Sequence, residues 1–277
     1  MYQVLDKDTI SLEILPHLST AKRGFKTKSS LVEIVNAILY KLKTGCQWEF
    51  LPVKSLFSEV VLSYKSVFWH YRKWCKNGSW KQCWISLLSK HKSCLDFSSG
   101  EIDGSHTPAI KGGEEVAYQG RKKRKTTNSL YLTDRQGLPL AISLPKAGNH
   151  HDLHGIRPAL DEMFNLVESA DIPLDGLFIN ADSGFDSKVF RLTCAERGIF
   201  ANVDFNPRNG ENNEYEYLLD DELYKDRYSI ERTNAWMDSF RSVLNRFDVT
   251  VSSWTGFNYI AFMVILLKKL EKRKKFR

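Results

Sequence analysis

Three stretches decide the fold: EIDGSH at residues 101–106, FINADSGFDS at 178–187 and YSIERTNAW at 228–236. Asp103 and Asp182 each close a β-rich apolar run, and Glu231 lies in the first turns of a helix that begins near Tyr228. Two aspartates and one glutamate gathered by folding offer only oxygen donors, the set that hard divalent cations such as Mg2+ prefer. A pair of such ions suits the in-line cutting and joining of phosphodiester bonds.

Working outward from Asp103, the pattern turns from helical to extended after Ser98, Ser99 and Gly100. Two strands, 128–133 and 138–144, flank Asp134-Arg135-Gln136-Gly137, a hairpin-turn composition. A helix over 153–168 turns Ile156, Leu160, Phe164 and Val167 inward, and a strand at 177–179 delivers Asp182 at its end. Ser187 caps a helix that runs to Arg197 and stops at Gly198, and a fifth strand covers 199–205. The order β-β-β-α-β-α-β-α, with acids after the first and fourth strands and on the last helix, predicts an α/β fold of the ribonuclease H-like kind, a mixed sheet flanked by helices. A C-terminal helix over 257–270 buries Ile260, Val264 and Leu267 and leads into a basic tail.

Residues 1–95 read as helical. Leu31, Ile34, Val35, Ile38, Leu39 and Leu42 recur at helical spacing and Gly45 offers a stop. A second helix is expected over 58–76 with Val61, Tyr64, Val67, Phe68 and Tyr71 inward, broken by Asn77-Gly78, and a third over 80–90 on Trp84, Leu87 and Leu88. Three short helices with many lysines are compatible with a helix-turn-helix-like DNA-binding module, and equally with any small bundle. The division that follows is a helical DNA-binding region, 1–95, and a catalytic domain, 96–277, that includes the C-terminal helix and tail. Five of the seven tryptophans lie between Trp48 and Trp84 and are expected in the core.

The net charge of +7 is concentrated in the first hundred residues, in Arg121-Lys122-Lys123-Arg124-Lys125 and in the tail, whereas 204–226 is acidic. Three separated basic segments favour a polyanionic partner. With 42% hydrophobic and 26% charged residues the chain has a globular composition. No apolar run approaches the ~18 residues of a spanning helix, which argues against a membrane. The N-terminus has no secretory pattern. Five cysteines, an odd number without a C-x-x-C pair, read as reduced thiols. A cytoplasmic, nucleoid-associated bacterial protein is expected.

These motifs carry a family resemblance. Gly45-Cys46-Gln47-Trp48 with Leu51-Pro52, Trp74 with Asn77-Gly78-Ser79-Trp80, the box at Asp103, Gly137-Leu138-Pro139-Leu140, Gly148-Asn149-His150-His151-Asp152, the box at Asp182, and Glu231-Arg232 with Trp236, Phe240-Arg241 and Arg246-Phe247 resemble, in order, the segments of bacterial insertion-sequence transposases of the DDE type. The resemblance implies Asp103, Asp182 and Glu231 as catalytic and metal-binding residues for two Mg2+ (or Mn2+) ions, with Asp103 bridging. It implies double-stranded DNA as partner, both terminal inverted repeats and target DNA, and a homodimer on DNA. One position departs from related families, which carry a lysine seven residues after the glutamate; here it is Asp238.

Other residues are weighed beside the trio. Asp186 reads as orienting the following helix, and Asp134 as a turn residue. His150, His151, Asp152 and His154 lack the helical spacing of two-histidine zinc sites and read as a loop, with Asp152 as helix cap or partner of the carboxylates. Arg121 to Lys125 are expected on the DNA backbone; Arg232, Arg241 and Arg246 are candidate phosphate contacts, set against ion pairs with Asp238 or Asp248. Trp236 is a candidate for stacking on an extruded base, set against core packing. The expected activity is DNA transposition: phosphodiester cleavage at the element's ends, then transfer of the 3′-hydroxyl to target DNA. The alternatives are a metal-dependent nuclease without strand transfer and a non-catalytic DNA-binding relative.

Overall fold

The structure is a computed structural model that describes residues 3–20, 27–209 and 219–275. The acidic stretch from 209 to 226 therefore falls partly outside the described residues; its end forms the short helix Asp221–Tyr224 and a 3-10 turn, Lys225–Tyr228. The chain divides into two compact units, one of Met1–Leu87 with Trp236–Arg277, the other Leu88–Ala235.

The first unit is helical. The Leu31–Thr44 helix ends where Gly45, at φ 67°, caps it in the left-handed region. The second helix is shorter than its periodicity predicts: Ser63 accepts from the Ser66 N–H and starts it at Tyr64, so Tyr64–Lys76 excludes Val61, which is exposed. Ser79–His91 follows. The C-terminal helix, Val251–Lys275, packs with the helices of the N-terminal segment. By length and composition this helix is apolar enough to cross a membrane, yet most of it is buried in the protein, as a core helix is. Trp84 meets Phe262 at 5.5 Å between centroids, Tyr71 stacks on Phe257 at 4.4 Å, and the Tyr71 hydroxyl donates to the Ser253 carbonyl. Trp74, Trp80 and Trp84 are in the core as expected, but Trp69 is 56% exposed. It lies two residues, about 200°, from Val67 and Tyr71, the buried positions of the same helix.

The second unit is built on a seven-stranded sheet. β1 (Gly100–Pro108) pairs antiparallel with β3 (Arg124–Asp134), which also carries β2 (Ala117–Gln119), β4 (Pro139–Ile142) and β5 (Lys146–Ala147). On its other side β1 pairs in parallel with β6 (Phe178–Ala181), and β6 with β7 (Phe200–Val203). The main strands thus lie in the order β4-β3-β1-β6-β7, three antiparallel and then two parallel, which is the ribonuclease H-like arrangement. The helices Ile156–Glu168 and Lys188–Ala195 pack on each other and on β4 and β7 respectively. The hydroxyl oxygen of Ser187 accepts from the Phe190 N–H and caps the second of them. Asp186 accepts from Arg191, at 2.9 Å, and from the Asn206 N–H, and so orients that helix.

Candidate active site

Asp103 lies in the middle of β1, not at the end of a strand, because pairing with β3 continues to Pro108. Pairing with β6 stops earlier, with Glu101 opposite Asn180. Two residues on from that pair stand Asp103 and Asp182, and Asp182 follows β6 in an extended conformation. The Asp182 anion acts on Asp103 across this end of the ladder, so the two carboxylates lie within electrostatic reach of each other. Asp182 accepts from the Gly184 N–H at 2.8 Å and caps a 3-10 turn; Asp103 accepts from its neighbour Gly104 at the same distance. Burial first, then the anions of Asp182 and Asp152, push the Asp103 carboxyl up to about 6, against the Gly104 N–H and the cation of Arg227.

Of the two readings of Asp152, helix cap or partner of the carboxylates, the first does not hold, because Gly155 occupies the cap position. The Asp152 carboxylate instead accepts from the Asn128 amide at 2.8 Å and lies against the α-carbon of Gly104, where any side chain would collide with it. His150 and His154 stack face to face, 3.7 Å between centroids and 7° from parallel.

Glu231 is exposed on the Ser229–Asp238 helix. Three contacts dock this helix: the Ser229 hydroxyl donates to Glu101 Oε2 at 2.9 Å, the Thr233 hydroxyl to the Gly137 carbonyl, and Arg232 to the Gln136 carbonyl at 3.1 Å. Gly137, at φ 79°, brings the β3–β4 turn so close that a β-carbon would stand 2.7 Å from the Ser229 carbonyl oxygen. Arg135 and Asp226 pair at 2.8 Å just before the helix. The structure thus joins Asp103 to Asp182 but places no three His, Cys, Asp or Glu side chains, among the described residues, close enough to hold a metal ion. The aspartate pair itself fits a hard cation: its donors are carboxylate oxygens, and a cation there would offset the burial and neighbouring anions that oppose ionisation of Asp103.

Arg227 is the residue that motif reading passed over as a site component. It lies four residues before Glu231, in the 3-10 turn Lys225–Tyr228 that runs directly into the Glu231 helix. Its cation is within electrostatic reach of Asp103. Of the candidate DNA contacts, Arg121, Lys122 and Lys123 lie in the turn between β2 and β3, and Arg124 and Lys125 open β3 with exposed side chains. Arg232 and Arg241 are exposed. Arg246 is not available to phosphate: it is 1% exposed and donates to the Asp248 and Val249 carbonyls. Trp236 is half-buried, with the Lys269 ammonium 5.9 Å from its ring centroid.

A sheet of this order, flanked by helices, defines a protein of the ribonuclease H-like fold. Residues 93–263 match the family described as transposase DDE domain, and residues 11–84 match one described as a transposase of the IS4/5 family. The chain belongs to the DDE transposase family: it is a DNA transposase, an enzyme of DNA cleavage and strand transfer, and its family uses divalent metal ions. Among solved structures it is similar to the Mos1 transposase paired-end complex with left transposon end, with TM-score 0.30 and 12% identity over 89% of this chain and 80% of that one. It is also similar to a pre-cleavage Mos1 transpososome, with TM-score 0.28 and 11% identity over 88% and 80%. No curated protein matches the chain.

Proposed function

We propose that Asp103, Asp182 and Glu231 form the transposition site and would together hold two Mg2+ or Mn2+ ions. Bound there, the ions supply activation of the attacking oxygen and stabilisation of the leaving oxygen. The observation that carries this reading is the action of the Asp182 anion on Asp103 at the end of the β1–β6 ladder, although the two lie 79 positions apart in the chain. Arg227 supports it: its cation acts on Asp103, and a guanidinium offers a fork of donors to a scissile phosphate. Glu231 follows it by four residues, on a helix held to the same sheet through Glu101.

The chain's own residues would then divide the work. The carboxylates orient the reacting groups, Arg121 to Lys125 grip the DNA backbone without reading sequence, and Arg232 and Arg241 add phosphate contacts. Trp236 stacks beside the cleaved end. The helical region 1–95 binds the terminal inverted repeats, the domain 96–277 cuts them and joins the 3′-hydroxyl to target DNA, and a homodimer brings two ends together on bacterial DNA. The test is an assay with labelled terminal-repeat DNA, target DNA and Mg2+. Wild type should yield cut and joined products, while Asp182→Ala should bind the ends and yield neither. Cut product without joining would identify a nuclease, and a variant that still cuts would remove Asp182 from the site.

A further inference from the structure

Glu101 stands two residues before Asp103 and is fully buried, 0% exposed. A buried carboxylate is costly unless its oxygens are satisfied, and here both are. Oε1 accepts from the Ser99 hydroxyl at 2.8 Å and from the Asn180 amide at 3.5 Å. Oε2 accepts from the hydroxyls of Ser229, at 2.9 Å, and Thr133, at 3.2 Å. One side chain thus joins β1, β3 and β6 to the first residue of the Glu231 helix.

The row continues across the sheet. Asn180, two residues before Asp182, also donates to the Leu223 carbonyl at 2.9 Å and accepts from the Asn202 amide at 2.7 Å. Asn202 in turn exchanges two hydrogen bonds with the backbone of Asp220. Two residues before the aspartate pair runs a second row, Glu101-Asn180-Asn202, each member of which bonds to a residue of 220–229, the segment that leads into Glu231. An apolar row would bury as much surface without direction. Hydrogen bonds to both oxygens of one carboxylate impose a direction, which a metal ligand needs from the groups around it.

We propose that Glu101 is a positioning residue for this site: it sets the helix carrying Glu231 against the strands carrying Asp103 and Asp182. The proposal rests on the metal-site reading above and names the group that completes it.

The test uses the full chain without DNA and reads two quantities besides activity: Mn2+ affinity by electron paramagnetic resonance, and amide hydrogen exchange over 229–238. Glu101→Ala should weaken Mn2+ binding about tenfold or more and speed exchange in that helix. Glu101→Gln should keep both near wild type, since an amide can accept on one side and donate to a turned hydroxyl on the other. Ser229→Ala, which removes one hydroxyl and leaves the strands intact, should move both quantities in the direction of Glu101→Ala, with the double variant no worse than Glu101→Ala alone. It carries the test if Glu101→Ala does not fold. Wild-type Mn2+ affinity in Ser229→Ala, or a Glu101→Gln variant as impaired as Glu101→Ala, would overturn the proposal. Asp182→Ala separates the two levels: it should lose Mn2+ without altering exchange, and if it keeps Mn2+ the metal-site reading itself fails.

Discussion

At Asp103 the ionised carboxylate opposes the metal-free fold. Its folded value of about 6 lies above the ordinary 3.8, so between those limits the folded chain holds a proton that the unfolded chain has released. The penalty is therefore complete above pH 6 and absent below about pH 4. Asp103→Asn should raise stability at pH 8 by on the order of 2 kcal/mol and leave it unchanged near pH 4. Urea denaturation at the two pH values checks this, and an equal effect at both would exclude charge as the cause. Mn2+ should stabilise the wild type at pH 8, where it relieves the same repulsion, and much less at pH 5, where protons compete for the oxygens. Asp134 also departs from the plain turn residue expected of it. It is fully buried and accepts from the Leu138 N–H, the Asp96 N–H and the Gln136 amide, and burial pushes its carboxyl up to about 6.

Between elements, the contact of the β3–β4 turn with the Ser229–Asp238 helix leaves no room for a side chain. Gly137→Ala meets two obstacles, a positive φ and the Ser229 carbonyl oxygen at 2.7 Å from the new β-carbon. It should cost about 2–3 kcal/mol and accelerate hydrogen exchange in the helix. Gly78 offers the comparison: its φ of 74° is similar but its surroundings are open. Gly78→Ala should cost only about 1 kcal/mol. Thermal melts of the two variants separate backbone strain from crowding, and equal losses would show that the turn and helix can move apart freely. Much of this element scale was legible in the sequence. The hairpin turn, the Ser187 cap and the Gly45 stop each depend on a residue and its near neighbours. The long extension of β1 past Asp103 was not, since it depends on a partner strand 18 to 26 residues away, Gly104 opposite Leu130 through Pro108 opposite Thr126.

At the scale of the molecule, the helical unit needs both ends of the chain. Trp254, Phe257 and Phe262 of the C-terminal helix are fully buried within it, each contributing about 2–3 kcal/mol. A fragment of residues 1–95 should therefore lack a cooperative thermal transition by circular dichroism, whereas the full chain shows one. A fragment that melts cooperatively would show that the N-terminal helices fold alone. The basic run bears on binding as a whole. Replacing Arg121 to Lys125 with alanine should weaken DNA binding on all sequences alike. It should also flatten the salt dependence, by roughly 0.9 in the log–log slope for each phosphate that the variant no longer neutralises. A change limited to one sequence would assign the run to base reading instead.

The sequence by itself determined the kinds of element, their order, the acids they carry and the family they define, because period, caps and turn residues act over a few positions. Only the tertiary structure decided which strands adjoin and in what register. That register pairs Glu101 with Asn180 just before the two aspartates, and helix packing buries the C-terminal helix in the core of the N-terminal segment. Such pairings depend on hydrogen bonds and burial between residues tens to hundreds of positions apart, and no local pattern encodes the partner.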